Sequence, residues 1–305
     1  MTITVNGRRI DAVAQVTKQG FTYVFDRVTD QPVWPIVERA VPTDSDVPGE
    51  KPYPTQPIPT KPPPFVAQGV SLEDANNLTP EIKALAQEQM RKFRIGPVFT
   101  PPSLEGTLQR PAQGGGGNWG GAAFDPDTGY LFVRAANAVG LNRLAKNDGS
   151  NPSVAVDYSN VFVSGGEAVA LPGGLPINSP PYAVLTAIDL NRGEIAWQVP
   201  LGEGSPVWRN HPMLKGVTLP DRLGSPNSRG GAMVTRSGLV FLGGGDGYLY
   251  AFDKKNGKEI WRGKVPYENA GVPMTYRTRA GRQFVVVATG AGARNALVAF
   301  TLGKN

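Results

Sequence analysis

The chain has 305 residues, 40% of them apolar and 18% charged, the balance of a soluble globular protein of one or two domains. Its net charge is +6, but the Lys and Arg residues are scattered, so no nucleic-acid-binding stripe is expected. It has no cysteine, which excludes disulfides, thiolate metal sites and cysteine nucleophiles.

Glycine (38) and proline (29) are both abundant, which favours many short strands joined by turns over long helices. The opening MTITVNGRRIDAVAQV has no basic start followed by an apolar core of secretory length. No run of about 18 apolar residues is present, so no membrane helix is expected.

In chain order, the first pattern is Val24-Phe25-Asp26, followed by Asp30 and Trp34. It recurs as Ala123-Phe124-Asp125 with Gly129 and Val133, as Ala187-Ile188-Asp189 with Gly193 and Trp197, and as Ala251-Phe252-Asp253 with Gly257 and Trp261. The physical reading is a hairpin. A strand ends at the Asp, whose carboxylate bonds the turn backbone, a Gly or Asp supplies a positive-φ turn position, and the returning strand carries a Trp. Asp125, Asp189 and Asp253 are about sixty residues apart, so one copy per blade of a β-propeller, each with a loop insertion, is expected. A partial copy, Ala299-Phe300-Thr301, lies near the end, giving about four blades without evident closure of a ring.

Between these copies lie three insertions. Residues 31–65 are proline-rich and read as an extended surface excursion with no core of its own. Residues 79–93, TPEIKALAQEQMRKF, read as a helix with Pro80 in its first turn. Residues 138–181 read as a long loop. The single histidine, His211, reads as a surface loop residue. GGGDGY at 243–248 and the glycine run at 114–117 sit between strands, so neither suits a phosphate loop, which needs a strand feeding a helix. The repeated aspartates read as turn residues, not as acids of a catalytic site.

The segments VTKQGFTYVFDRVTDQPVWP, TPPSLEGTL, NWGGAAFDPDTGYLFV, LTAIDLNRGEIAW and GGAMVTRSGLVFLGGGDGYLYAFDKKNGKEIWRGKVP carry a family resemblance. Together they resemble the PQQ-dependent (quinoprotein) dehydrogenases, in particular the membrane-bound glucose dehydrogenases. The resemblance spans nearly the whole chain. It implies an all-β fold, about four blades of an eight-bladed propeller, with one short inserted helix and long loops, over residues 1–305. It implies pyrroloquinoline quinone (PQQ) as cofactor and Ca2+ beside it. It implies a sugar or alcohol as substrate, with electrons passing to ubiquinone or a cytochrome, on the periplasmic face of the inner membrane.

The resemblance also points to residues. Lys18 occupies the position whose cation hydrogen-bonds the ortho-quinone oxygens. Asn118 and Trp119, after the glycine run, are expected at the cofactor, as is Asn137. Gly290 and Gly292 are expected where backbone approaches it, and Arg229 stands where alcohol-oxidising relatives carry an aromatic, placed to meet a cofactor carboxylate. The family's catalytic aspartate and its calcium ligands lie upstream of the segment matching Lys18, so neither a general base nor a metal ligand is expected in this chain. Activity then needs the missing N-terminal half. The alternative is a non-catalytic scaffold, or a half-propeller that assembles with a second chain.

Overall fold

The computed structural model describes residues 1–149, 156–162, 169–227, 230–268 and 270–302. Its first element is a hairpin set by Asn6-Gly7, both at positive φ, the pairing that a tight two-residue turn requires. It joins β1 (Thr2–Val5) to β2 (Arg8–Val16), and β3 (Thr22–Asp26) completes a three-stranded antiparallel sheet. The chain then folds back so that Val33 N–H donates to Val24 O at 2.8 Å, a rudimentary fourth strand ending at Trp34.

The proline-rich segment that follows is an exposed ribbon of β4 (Ile36–Ala40) and β5 (Thr55–Pro59). Helix α1 (Pro80–Met90) opens with the Thr79 hydroxyl accepting from the Ile82 N–H at 3.2 Å, and β6 (Thr107–Gln109) comes next. A second blade is built from β7 (Ala122–Asp125), β8 (Tyr130–Ala136), β11 (Ala183–Asp189) and β12 (Glu194–Pro200), in the order β7-β8-β11-β12. Between its two halves run β9 (Gly140–Lys146) and β10 (Tyr158–Phe162), with β9 pairing to both β10 and β6 in a separate sheet.

A third blade holds β13 (Met233–Val234), β14 (Leu239–Gly243), β15 (Tyr248–Asp253) and β16 (Glu259–Lys264), each pairing with the next. The fourth holds β17 (Met274–Arg277), β18 (Gln283–Ala291) and β19 (Arg294–Phe300).

Two expectations change here. Asp125 and Asp189 end β7 and β11, which lie in one sheet, so these two copies of the repeat belong to a single blade. A strand that ends at an aspartate-capped turn can be first or third in a blade, and spacing alone does not distinguish them. Residues 138–181 are not one long loop, since β9 and β10 lie within them. Their apolar residues Val139, Leu141, Leu171, Leu175 and Ile177 form a satellite core with Ile82, Ala86 and Met90 of α1. The stretch lacks a clean period because its side chains pack against a helix and turns as well as a sheet.

The blades pack face to face. On β8, Leu131, Val133 and Ala135 enter a core shared with Ile3, Ile10 and Val24 of the first blade. Phe132, on the opposite face, joins Leu185, Val240, Leu242 and Phe252 between the second and third blades. Phe241, Ala251 and Val287 fill the next interface.

The Asp…Gly…Trp pattern forms the clamp between blades. Asp189 Oδ1 accepts from Asn191 N–H at 2.9 Å, and Asp253 Oδ1 from Lys255 N–H at 2.7 Å. Gly193 and Gly257 take φ of 67° and 71°. In the first two blades the Trp then lies on the glycine of the next. A Cβ on Gly193 would meet Trp34 at 2.8 Å, and one on Gly257 would meet Trp197 at 2.7 Å. Trp197 Nε1 also donates to Lys254 O at 3.1 Å. Lys254 Nζ in turn pairs with Asp125 at 2.8 Å, both side chains being buried.

Candidate functional site

In an antiparallel blade, the turn between the second and third strands and the entry into the first strand fall at the same end. The clamp turns occupy the other end. Most of the residues singled out from sequence gather at the first of these ends.

Lys18 lies in the turn between β2 and β3, exposed, beside a cleft of about 220 Å³ that Phe99, Arg110 and Gln113 also line. No ion pair engages it among the described residues. The run Gly114–Gly117 is strung between this turn and β8: Gly116 N–H donates to Lys18 O at 2.8 Å, and Ala136 N–H donates to Gly116 O at 3.1 Å. Gly115 sits at φ 81°, and a Cβ there would stand 2.6 Å from Lys18 Cγ. Only a bare backbone fits against the lysine stem.

Asn118 lines a second cleft, of about 170 Å³, with Gly114, Gly116, Arg134, Ala136 and Gly230. Its amide is committed to the loop: Nδ2 donates to Gly114 O at 2.6 Å, and Oδ1 accepts from Trp119 N–H at 2.9 Å. Trp119 projects outward, 86% exposed. Asn137 closes β8, and its Nδ2 donates to Pro181 O at 2.9 Å while its Oδ1 is buried without a partner. It lines neither cleft.

Gly290 and Gly292 lie in and beside the β18–β19 turn. Gly290 has a local reason to be glycine, since a Cβ would come within 2.0 Å of Arg294 O. Arg229 lies outside the described residues.

His211 is buried, not a surface residue. Its Nδ1 accepts from Met213 N–H at 3.3 Å and its Nε2 lies 2.9 Å from Pro172 O, so it ties two loops together. A lone loop histidine between charged and proline residues gives no sign of such a role. The GGGDGY segment is the β14–β15 turn, where Asp246 Oδ2 accepts from Tyr250 Oη at 2.7 Å and from Glu203 N–H at 2.8 Å. Burial, with Asp246 beside it, pushes the Tyr250 hydroxyl well above its ordinary value.

Sequence reasoning missed Arg134. It interrupts the apolar strand LFVRAA, which is itself a flag for a buried charge. It is 8% exposed, and Nη2 donates to Ser225 O at 3.1 Å while Nε finds no partner. Burial pushes its pKa down to about 10, so it stays charged near neutrality.

The unpartnered buried polar atoms follow the same geography. Among the described residues they belong to Thr22, Gln68, Arg134, Asn137, Asp246, Glu259 and Thr289. Glu259 forms an ion pair with Arg222. The others lie in or next to the second-to-third-strand turns, or, for Gln68, against Gln19 in the first of them. No cluster of three His, Cys, Asp or Glu side chains suited to a metal occurs among the described residues. No described helix is long and apolar enough to cross a membrane.

Residues 1–285 match the family described as "PQQ: Glucose/ethanol/alcohol dehydrogenase, beta-propeller domain". The chain is 32% identical to quinate/shikimate dehydrogenase (quinone) of Acinetobacter baylyi, over 98% of its own length and 39% of the relative's. It is 34% identical to a probable quinate dehydrogenase (quinone) of Xanthomonas campestris pv. juglandis (95% and 38%) and 29% identical to quinoprotein glucose dehydrogenase of Escherichia coli (94% and 37%). It therefore spans about two fifths of the length of these relatives.

Among solved structures, a quinohemoprotein alcohol dehydrogenase from Pseudomonas putida HK5 superposes with a TM-score of 0.53 at 16% identity, covering 96% of this chain and 34% of that one. At that identity the likeness concerns the fold, and it agrees with four propeller blades set side by side. By its match over residues 1–285, the chain belongs to the PQQ-dependent glucose, ethanol and alcohol dehydrogenase β-propeller family.

Proposed function

We propose that this chain forms part of a PQQ-dependent dehydrogenase that oxidises a sugar, polyol or alcohol, and that its second-to-third-strand end is one wall of the cofactor site. The observation that carries this reading is an exposed Lys18, without an ion-pair partner among the described residues, packed against a glycine run whose bare backbone lines the adjacent cleft. Bare backbone lets a flat ring approach, and a cation beside it suits the oxygen charge of a reduced quinone. The residues present therefore fit one face of PQQ. When bound, PQQ supplies an electrophilic ortho-quinone that takes two electrons from an alcohol carbon.

Lys18 would hold the quinone oxygens by its ammonium. Asn118, locked by its own loop, would give that wall a fixed shape, with Trp119 exposed beside it to cover the ring. Asn137 would act one layer back, fixing the end of β8. Gly290 and Gly292 would border the site from the fourth blade, and Arg229 would meet a cofactor carboxylate.

The described residues do not fit a calcium site, so no step is assigned to a cation. The general base and the cation ligands would come from a partner segment, an N-terminal half or a second chain. Relatives are named for quinate and shikimate as well as for glucose, which supports counting polyhydroxy acids among the candidate substrates. We place the acceptor as ubiquinone or a cytochrome and the location at the periplasmic face of the membrane.

The test is a PQQ titration of the chain followed by tryptophan fluorescence, with exposed Trp119 as a reporter. Saturable quenching is expected, weakened about tenfold or more in Lys18→Met, the loss expected of one charge-assisted hydrogen bond. Quenching that does not saturate, or is the same in both proteins, overturns the reading.

A further inference from the structure

Arg134 is a buried cation without a counter-charge among the described residues. Its position on β8 has the parity of Phe132, so the side chain faces the third blade and the cleft of about 170 Å³. None of the ion pairs among the described residues includes it. Its one hydrogen bond, from Nη2 to Ser225 O, leaves Nε buried and unpaired. Buried charges are ordinarily paired, because losing water costs more than a lone carbonyl returns.

Among the described residues, the rest of the cleft supplies no anion. Gly114, Gly116, Gly230, Ala136 and Pro226 line it with backbone and methyl groups. Asn118, the polar side chain among these, already has both amide atoms engaged. A planar guanidinium with a free Nε edge matches the two oxygens of a carboxylate. The space is also adequate, since a cavity of about 150 Å³ accepts a six-carbon ring.

We propose that Arg134 reads a carboxylate in this cleft. The proposal rests on the dehydrogenase reading for the identity of the two possible owners. A hydroxy-acid substrate would bring its carboxylate here, which would make the cleft select acids over neutral sugars. Alternatively, a carboxylate of PQQ itself would occupy it.

Isothermal titration of the full chain separates these sources with three probes: quinate, the neutral ring polyol inositol, and PQQ. Wild-type protein is expected to bind quinate about tenfold more tightly than inositol, a single charge-assisted pair's worth of discrimination. Arg134→Gln should reduce quinate binding to the inositol level and leave inositol unchanged, and Arg134→Lys should restore part of the loss. A selective loss of about tenfold in PQQ affinity, with quinate unaffected, assigns the carboxylate to the cofactor and equally supports the proposal.

A glutamine variant that binds every probe within about twofold of wild type overturns it, as does a wild-type chain that prefers no carboxylate. Thermal midpoints guard the comparison. Arg134→Gln removes an uncompensated buried charge and should melt no lower than wild type, and if it does, the Lys variant alone decides. Saturable PQQ binding that weakens in Lys18→Met, with neither quinate nor PQQ binding altered in Arg134→Gln, leaves the cofactor reading standing without this one. Quinate binding that needs Arg134 in a chain blind to PQQ leaves this one standing without the other.

Discussion

The two ends of the blades are built by opposite rules. At the clamp end, polar groups close on one another: Asp189 and Asp253 cap their own turns, Trp197 donates to Lys254 O, and Lys254 pairs with Asp125 across a blade boundary. At the other end the same sheets finish in glycine runs, an unengaged lysine, a buried arginine and orphaned side-chain atoms. A structure that satisfies its polar groups so fully on one side has no general difficulty in doing so. Unsatisfied buried polar groups are the signal on which the proposed binding role of that side rests. On the proposed reading the clamp end stores stability and the open end binds, and substitutions should separate the two.

The largest effect on stability should come from the clamp. Lys254→Met strands the Asp125 carboxylate at 3% side-chain exposure, and breaking such a buried pair from one side costs about 3–5 kcal/mol. Denaturant unfolding measures it. Replacing Asp125 by leucine in the same protein should recover much of the loss, because two apolar residues leave no charge behind. A single mutant within about 1 kcal/mol of wild type would break the comparison at its strongest point.

Gly257→Ala should follow, at about 2–4 kcal/mol, since it combines a left-handed backbone with a methyl group pressed onto the Trp197 ring. An unchanged unfolding midpoint would show that the Trp-on-glycine contact is incidental.

That clamp was legible in the sequence because its chemistry is local. An Asp, a glycine four residues on and a Trp four further describe one turn and its exit strand. The residue each Trp meets was not legible, since Trp34 and Gly193 are joined only by the packing of neighbouring blades. For the same reason Asp125 read as a blade of its own: the turn is real, but sheet membership depends on β8 meeting β11 across a long excursion.

The open end was legible in part. Lys18 and Asn118 came from resemblance, and the structure sets the glycine run that precedes Asn118 in contact with Lys18. Arg134 went unseen, although an arginine between Val133 and Ala135 already asks what neutralises it. His211 was misplaced because its burial depends on Pro172, a residue of an irregular segment that no periodicity describes.

Acid should sharpen the contrast further. Burial works to raise the Asp125 pKa, but the Lys254 and Thr128 hydrogen bonds outweigh it and hold the carboxyl below its ordinary range. A group with a lowered folded pKa contributes stability above its unfolded value of about 4, and that contribution fades as pH falls through the lower folded value. Unfolding free energy should therefore decline below about pH 4, and the decline should be shallower in Asp125→Asn. Equal slopes in the two proteins would remove Asp125 from the acid response.

The smallest stability change belongs to Lys18. Its ammonium has no ion-pair partner among the described residues, and its side chain stands at an exposed turn. The contacts that hold the turn in place are made by backbone, Thr17 and Phe21 with each other and Lys18 O with Gly116 N–H. Lys18→Met keeps these and the packing of the stem on Gly115, so its unfolding free energy should lie within about 0.5 kcal/mol of wild type. Its affinity for PQQ, by contrast, should fall about tenfold. A lysine that costs nothing to remove from the fold and much to remove from the ligand is what an open end built for binding requires. If Lys18→Met destabilised the chain by as much as Gly257→Ala, this turn would belong with the clamps, and the division between the two ends would fail at the residue that defines it.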